Sequence, residues 1–420
     1  MGARGFLKTI GLLSVVALLA ASCGGEDGAG DGEAFDLRIG AVLPLTGALS
    51  FFGPAMERGT ELAVEVFEEA ADAAGQNIDV TLIVEDSQTD PDAGVEAARK
   101  LVDTDGVHVI VGAAASGVTI PVAEAVTIPN RITQCSPSAT SGDITQLEDD
   151  GFVNRVPPSD EHQAPILADL VAESLSEGAK VNLGARNDDY GNYLINEVAR
   201  ELGERGLEVG SPTLWDPEGT TFDSEAGQIV SGDPDGWVLV DFPGTWQQVS
   251  AALVRTGNWD PARTFTADGM KAAELPADSG RQATEGMRGT APGGGETFDD
   301  LWNERVTDQG RGPYDAQSFD CTMLLMLGAV AAGGNDSEAI RDEIRGVSGP
   351  GGTKYSFRDI EAAISTLADG QDIDFDGASG PLDLDENGDP VADGAVYEIF
   401  AYENEELVIT RSESVEAPAG

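Results

Sequence analysis

VHVIVGAAASGVTIPVAEAVTIPNRITQCSPSATS, running from Val107 to Ser141, decides how the fold is read. Val107–Gly112 is an apolar, β-branched run of strand length. A turn of small residues follows, then Val118–Val126 with helical apolar spacing, then a second short run over Arg131–Cys135. Strand, turn, helix and strand in this order make a βαβ unit, and such units build parallel sheets with helices on both faces.

The alternation extends in both directions. Upstream, Leu37–Leu43 and Ile78–Val84 read as strands, with helices over Pro54–Ala70 and Pro91–Val102, the second opened by its proline. After a break around Asp143–Pro158, KVNLGAR (Lys180–Arg186), LEVGSPTL, GWVLVDF and ARTFTAD read as further strands. Helices are expected at Tyr190–Gly206 and Thr245–Gly257. A third section carries helices at Ser318–Gly333, Ser337–Arg345 and near Arg358–Leu367, then a strand pair around Val396–Thr410. The reading is α/β, with two Rossmann-like, doubly wound lobes. A chain of 420 residues is long enough for both.

The first residues read as an export signal. Arg4 and Lys8 precede an apolar stretch, Ile10–Ala21, that is too short for a permanent membrane span. LAASC then places small residues before Cys23, in a pattern that resembles a bacterial lipobox. On this reading residues 1–22 are a lipoprotein signal peptide, Cys23 carries the lipid, and residues 23–34 are a Gly-rich, acidic tether. Setting Cys23 aside leaves Cys135 and Cys321, an even pair in an exported chain, where a disulfide is permitted.

The formal net charge is −51, from 75 acidic and 24 basic residues. That balance argues against nucleic-acid binding, which needs basic surface to displace counterions. The acids are spread along the whole chain, as in a solvated acidic surface.

Enzyme motifs fare poorly. His108 sits inside a strand and His162 at a helix start, and neither has metal-ligand spacing. A nucleophile elbow, a P-loop and a dinucleotide loop are all missing from the sequence. DLDENGDP (Asp383–Pro390) opens like a calcium loop, but Gly394 stands where the bidentate acid belongs, so an acidic turn is expected there. Neither a metal nor a cofactor is expected.

Small polar residues cluster at three strand ends of the first lobe: LPLTGALSFFG after Leu43, GAAASGVT after Val111, and CSPSATS after Ile132. The last of these could be a nucleophile loop or a polar cradle; without a partner base, the cradle is preferred. Ligands of open α/β sheets sit off such strand ends. Neutral hydroxyls and outward backbone N–H groups suit a carboxylate. The second lobe offers RNDDYG, DFPGTW and TADGM, which supply aromatics and acids. An acid opposite a carboxylate cradle is what an α-amino acid requires.

IGAVLPLTGALSFFG, IVEDSQTDPDAGVEAARKLV, VGAAASGVTIPVAEAV and QCSPSATS, followed by RNDDYGNYL, EGMRGT, PYDAQSFD and SGPLDLDENGDPV, form an ordered series. The series resembles the periplasmic leucine/isoleucine/valine-binding proteins of branched-chain amino acid ABC importers, from Phe35 to the C-terminus. The resemblance implies a type I periplasmic binding protein fold with a three-crossing hinge near Val156, Thr290 and Gly380. It divides the chain into an N-terminal lobe, 35–156 with 291–380, and a C-terminal lobe, 157–290 with 381–415.

By the same resemblance, Ser116 binds the ligand carboxylate, and Ser138, Ala139 and Thr140 complete the carboxylate and ammonium contacts. Phe52 covers the ligand and Tyr190 faces it from the second lobe. Asp160 lies on the closing face, and Asp268 pairs with the ammonium group. Asp268 stands where the family has a glutamate, which shortens its reach. The aromatic after the fifth strand is assigned to Phe242, with Trp246 as its competitor. The partners implied are a small amino acid, amide or carboxylate, importer permease subunits, and the membrane through the lipid at Cys23. A monomer is expected. Cys135, at the strand end before the binding turn, is expected to form a disulfide with Cys321.

Overall fold

The computed structural model describes residues 34–293, 296–391 and 395–415. The expected signal peptide, Cys23, nearly all of the expected tether and Gly394 lie outside the described residues.

The first sheet has the order β2-β1-β3-β4-β5 and is parallel throughout. Its strands are β1 (Phe35–Leu43), β2 (Ile78–Asp86), β3 (Val109–Gly112), β4 (Thr133–Ser136) and β5 (Val153–Arg155). Ile39 of β1 pairs with Leu82 on one side and Val109 on the other. The central strands are apolar on both faces because helices cover both.

The second sheet contains β6 (Lys180–Arg186), β7 (Glu208–Val209), β8 (Thr213–Trp215), β9 (Gly236–Val240), β10 (Thr264–Thr266) and β11 (Arg288–Pro292). A parallel pair, β12 (Thr353–Ser356) with β13 (Ile373–Asp376), stands apart from both large sheets. The chain then returns to the second sheet as β14 (Val396–Glu403) and β15 (Glu406–Ser414). Its order is β15-β14-β11-β10-β9-β6-β7, with β8 also paired to β6. The last two strands run antiparallel, an edge hairpin added to a parallel sheet. This is the two-lobed type I architecture.

Several details depart from the sequence reading, the unexpected β12–β13 pair among them. The segment taken as a break holds β5, a short edge strand whose Asn154 and Arg155 give no apolar signal. It is followed by a helix, Asp160–Ser174, with Pro165 inside it and Ser159 Oγ accepting from Glu161 N at its start. LEVGSPTL is two strands, because Gly210 and Pro212 interrupt the ladder between β7 and β8.

The helix Asp315–Ala332 is the central pillar of the first lobe. Every residue from Asp315 to Val330 is buried, which explains its apolar character all round. It packs on the helix Gly53–Ala73, on the helix Ser337–Ser348, and on β3 and β4. Gly59 permits the first contact: a Cβ there would lie 2.2 Å from Asp315 O. Among the described residues, no single helix is long and apolar enough to cross a membrane.

The acidic turn Asp383–Pro390 is used as a clamp. Asp389 Oδ1 and Oδ2 accept from buried Arg155 Nε and Nη2 at 2.7 and 2.8 Å, and Thr145 Oγ1 donates to Oδ2 at 2.6 Å. Asp385 Oδ1 caps its own turn by accepting from Asn387 N and Asp389 N. Next to this clamp, Val156–Pro158, Pro292–Gly293 and Gly377–Asp383 line one cavity of about 530 Å³.

Candidate functional site

The site forms where loops of the two sheets meet. From the first sheet come three strand ends. After β1, Thr46 is tied to Asp86, and Leu49 N donates to Thr89 Oγ1 at 3.0 Å. These bonds set the loop so that Phe52, at the start of the Gly53–Ala73 helix, is buried. After β3, Ala113 and Ala114 offer carbonyls to the serines at and after the end of β4. Ser136 Oγ donates to Ala113 O at 2.6 Å, and Ser138 Oγ donates to Ala114 O at 2.8 Å. In return Ser116 Oγ accepts from Ser141 N at 3.1 Å. The two small-residue loops therefore brace each other.

The disulfide Cys135–Cys321 ties this turn to the Asp315–Ala332 helix, with a Cα–Cα distance of 5.6 Å. The serine-rich turn is thus stitched to the core of its lobe, and its small residues provide a neutral, hydroxyl-lined wall.

From the second sheet come Tyr190, Phe242 and Asp268. Asp188 Oδ1 accepts from Gly191 N, starting the helix that carries Tyr190. The Tyr190 ring stacks on Phe242 at 5.1 Å, and the Arg186 guanidinium lies 3.8 Å over the other ring, that of Phe242. Asp268 follows β10 and is buried. Its Oδ1 accepts from Tyr190 Oη at 2.9 Å and its Oδ2 from Tyr314 Oη at 2.7 Å. Gly269 N donates to Tyr190 Oη at 3.2 Å.

Phe52, Ser116, Ser138, Tyr190, Phe242 and Asp268 converge on one cavity, together with Leu49, Ala114, Ala115, Gly269 and Tyr314. Its volume is about 10 Å³, the space of about one water. The halves are closed on each other: Gly244 N donates to Ala48 O at 3.0 Å, and Tyr314 reaches Asp268.

The structure places Ala139, Thr140 and Asp160 beside this cavity but not among its lining. Ala139 N donates to Ser136 Oγ, and Thr140 O accepts from Asp160 N at 2.8 Å. Trp246 is fully buried against Trp259, so Phe242 is the aromatic of that loop that reaches the cavity. Tyr314 is the residue sequence reasoning left without a role. It lies in PYDAQSFD, and its left-handed backbone (φ 60°), uncommon for an aromatic, gives no signal in the sequence.

Burial pushes the Asp268 carboxyl up from its ordinary value, against the pull of the Tyr314 and Tyr190 hydroxyls. Asp160 is raised well above the usual carboxylate range by burial and then by the charge of Asp268. Among the described residues neither Asp160 oxygen has a hydrogen-bond partner in bonding geometry. Burial also raises the Tyr190, Tyr314 and Tyr397 hydroxyls, so they remain protonated donors. The cavity therefore sets the Asp268 carboxyl and the Tyr190 hydroxyl, from the second sheet, against the serines and small-residue backbone of the first, with Tyr314 reaching Asp268 from the first lobe. Such a pairing can hold a molecule with a cationic nitrogen at one end and an anionic oxygen at the other.

A family profile described as periplasmic binding protein matches residues 36–400. The chain belongs to that family. Among curated proteins it is similar to Leu/Ile/Val-binding protein homolog 3 of Brucella melitensis, 27% identical over 89% of this chain and 93% of the relative. It is also similar to the chemotactic signal transduction system substrate-binding protein of Halobacterium salinarum, 25% identical over 84% of each. Among solved structures, a leucine-binding protein of Thermotoga maritima shares the fold, with a TM-score of 0.72 at 21% identity, covering 90% of this chain and 99% of that one. Members of the family are periplasmic or extracytoplasmic solute-binding proteins, and membership supports ligand binding by this chain.

Proposed function

We propose that this binding protein captures a small amino acid-like ligand between two closing lobes and delivers it to an ABC importer. The observation that carries the reading is the convergence of Ser116 and Ser138, from one sheet, with Tyr190 and Asp268, from the other, on a single closed cavity. Asp268 takes the ammonium group; Ser116 and Ser138 take the carboxylate, and Ala139 and Thr140, just behind the lining, hold that turn in place. Phe52 and Phe242 cover the apolar part, and Asp160 supports Asp268 from the closing face. The similarity to proteins named for Leu, Ile and Val binding supports an α-amino acid; amides, urea and small carboxylates are the neighbouring ligand classes.

The lobes are 35–156 with 291–380 and 157–290 with 381–415, and closure works through their crossings. In the open form the two walls are hydrated separately. A ligand that bridges them favours the closed form by its differential affinity for it. Importer permeases then read the closed shape. Lipidated Cys23 keeps the protein, a monomer, at the outer face of the membrane.

A second reading, a sensory receptor acting with a separate signalling partner, is favoured by the similarity to the chemotactic substrate-binding protein. Both readings share the ligand site and differ in the partner.

A thermal-shift panel of amino acids, amides, urea and short carboxylates tests the ligand class. A ligand at one hundred times its Kd stabilises the native state by about 2.7 kcal/mol. No shift with any α-amino acid would rule out the amino acid reading. Reconstitution of uptake with the permease and ATPase subunits separates importer from sensor.

A further inference from the structure

The recognition cavity shares two of its walls, Asp268 and Tyr314, with a second and much larger cleft of about 510 Å³. The far side of that cleft includes Phe51, Pro54, Gln309, Ala273 and Leu407. Its two basic members are paired with acids, Lys271 with Glu398 and Arg311 with Asp315 and Asp299, while the exposed Glu274 also lines it. With both basic groups paired, the cleft does not suit an anionic tail, and its apolar members Phe51, Pro54, Ala273 and Leu407 offer surface to an uncharged one.

Tyr314 is the partition. Its side chain is latched by one hydrogen bond to Asp268 Oδ2, and its ring lies 5.9 Å from Phe52. Its backbone is left-handed, a conformation that costs an aromatic residue and persists only where surroundings impose it. Arg311, Gly312 and the Asp315 carboxylate fix the loop on either side. A cavity of about 10 Å³ cannot hold even the two heads of an amino acid, so a wall must move.

We propose that Tyr314 is a gate between the recognition cavity and the larger cleft, and that the ligand's uncharged tail runs through it. The ligand's ammonium replaces the Tyr314 hydroxyl on Asp268 Oδ2. The same exchange swings the ring aside and joins the two spaces. The favoured ligand is then an α-amino acid with an uncharged side chain longer than a branched aliphatic one. This rests on the amino acid reading above and deepens it.

The test titrates alanine, norvaline, norleucine and 2-aminooctanoic acid into wild type, Tyr314→Phe and Ala273→Trp by calorimetry. Ala273 is exposed and lines only the cleft, so the indole fills the tail space without touching the heads. Wild type is expected to bind more tightly as the chain lengthens. Ala273→Trp should leave alanine and norvaline within twofold and weaken the two longer acids at least tenfold. Tyr314→Phe, which removes the competing hydroxyl, should tighten all four several-fold. Equal effects of Ala273→Trp at every length, or weaker binding by Tyr314→Phe, would overturn the gate while leaving the amino acid reading intact. Binding of none of the four by wild type would overturn the gate, while the amino acid reading is decided separately by the full α-amino acid panel above.

Discussion

The Tyr314 hydroxyl donates to Asp268 Oδ2 at 2.7 Å, joining the start of the first lobe's core helix to a strand-end loop of the second sheet. With Tyr190 on Oδ1, both carboxylate oxygens are engaged by protonated phenols. Asp268→Asn keeps the shape and removes the charge. It is expected to weaken α-amino acid binding by about 1.5–3 kcal/mol, the range for hydrogen bonds to charged groups. Calorimetric titration checks this, and unchanged affinity would remove Asp268 from the ammonium contact.

Asp241 gives a pH prediction. Burial raises its carboxyl to about 7, although Arg186 Nη1 stands 3.6 Å away. The native state therefore keeps a proton that the unfolded chain releases near pH 4. Its share of stability is full below about pH 4, falls as pH rises to about 7, and is then level. Asp241→Asn should flatten that slope by up to about 1.4 kcal/mol per pH unit. Urea melts from pH 4 to 8 measure it; an identical slope in the variant would assign the pH dependence to other groups.

The Cys135–Cys321 bond closes a loop across 186 positions. Replacing both cysteines with serine is expected to cost about 2–5 kcal/mol of stability. The binding turn it anchors should also loosen. Melts with and without reductant, together with hydrogen exchange over 133–141, would show both effects. A wild-type melt insensitive to reductant would count against the bond's role.

Arg155 is wholly buried, and Asp389 is its bidentate partner. Asp389→Ala leaves an unpaired buried charge and should cost about 3–5 kcal/mol. The double change Arg155→Met with Asp389→Leu should recover much of that loss. If the single variant melts like wild type, the clamp contributes nothing to stability.

Much of this was legible because long periodic elements report their burial. The apolar runs over Leu37–Leu43 and Gly236–Val240 are sheet interiors, and helices reveal themselves by spacing. Six of the expected site residues meet at one cavity because strand ends fix where loops can go. Short elements were not legible: β5 has three residues, and its stability comes from Arg155 reaching an acid 234 positions away. Asp383–Pro390 carries calcium-loop residues, yet two of its acids serve Arg155 and the turn's own backbone. Tyr314 was hidden for the same reason, since its role depends on a backbone angle and a partner 46 positions away.

The central claim is two-ended recognition across the closing lobes. Its most direct measurement is a calorimetric comparison of L-leucine, L-isoleucine and L-valine with the amine and the acid that each becomes on losing one head group. The account predicts that at least one amino acid binds and that both of its single-headed counterparts bind at least a hundredfold more weakly. An amine or an acid that binds as tightly as the amino acid would contradict it.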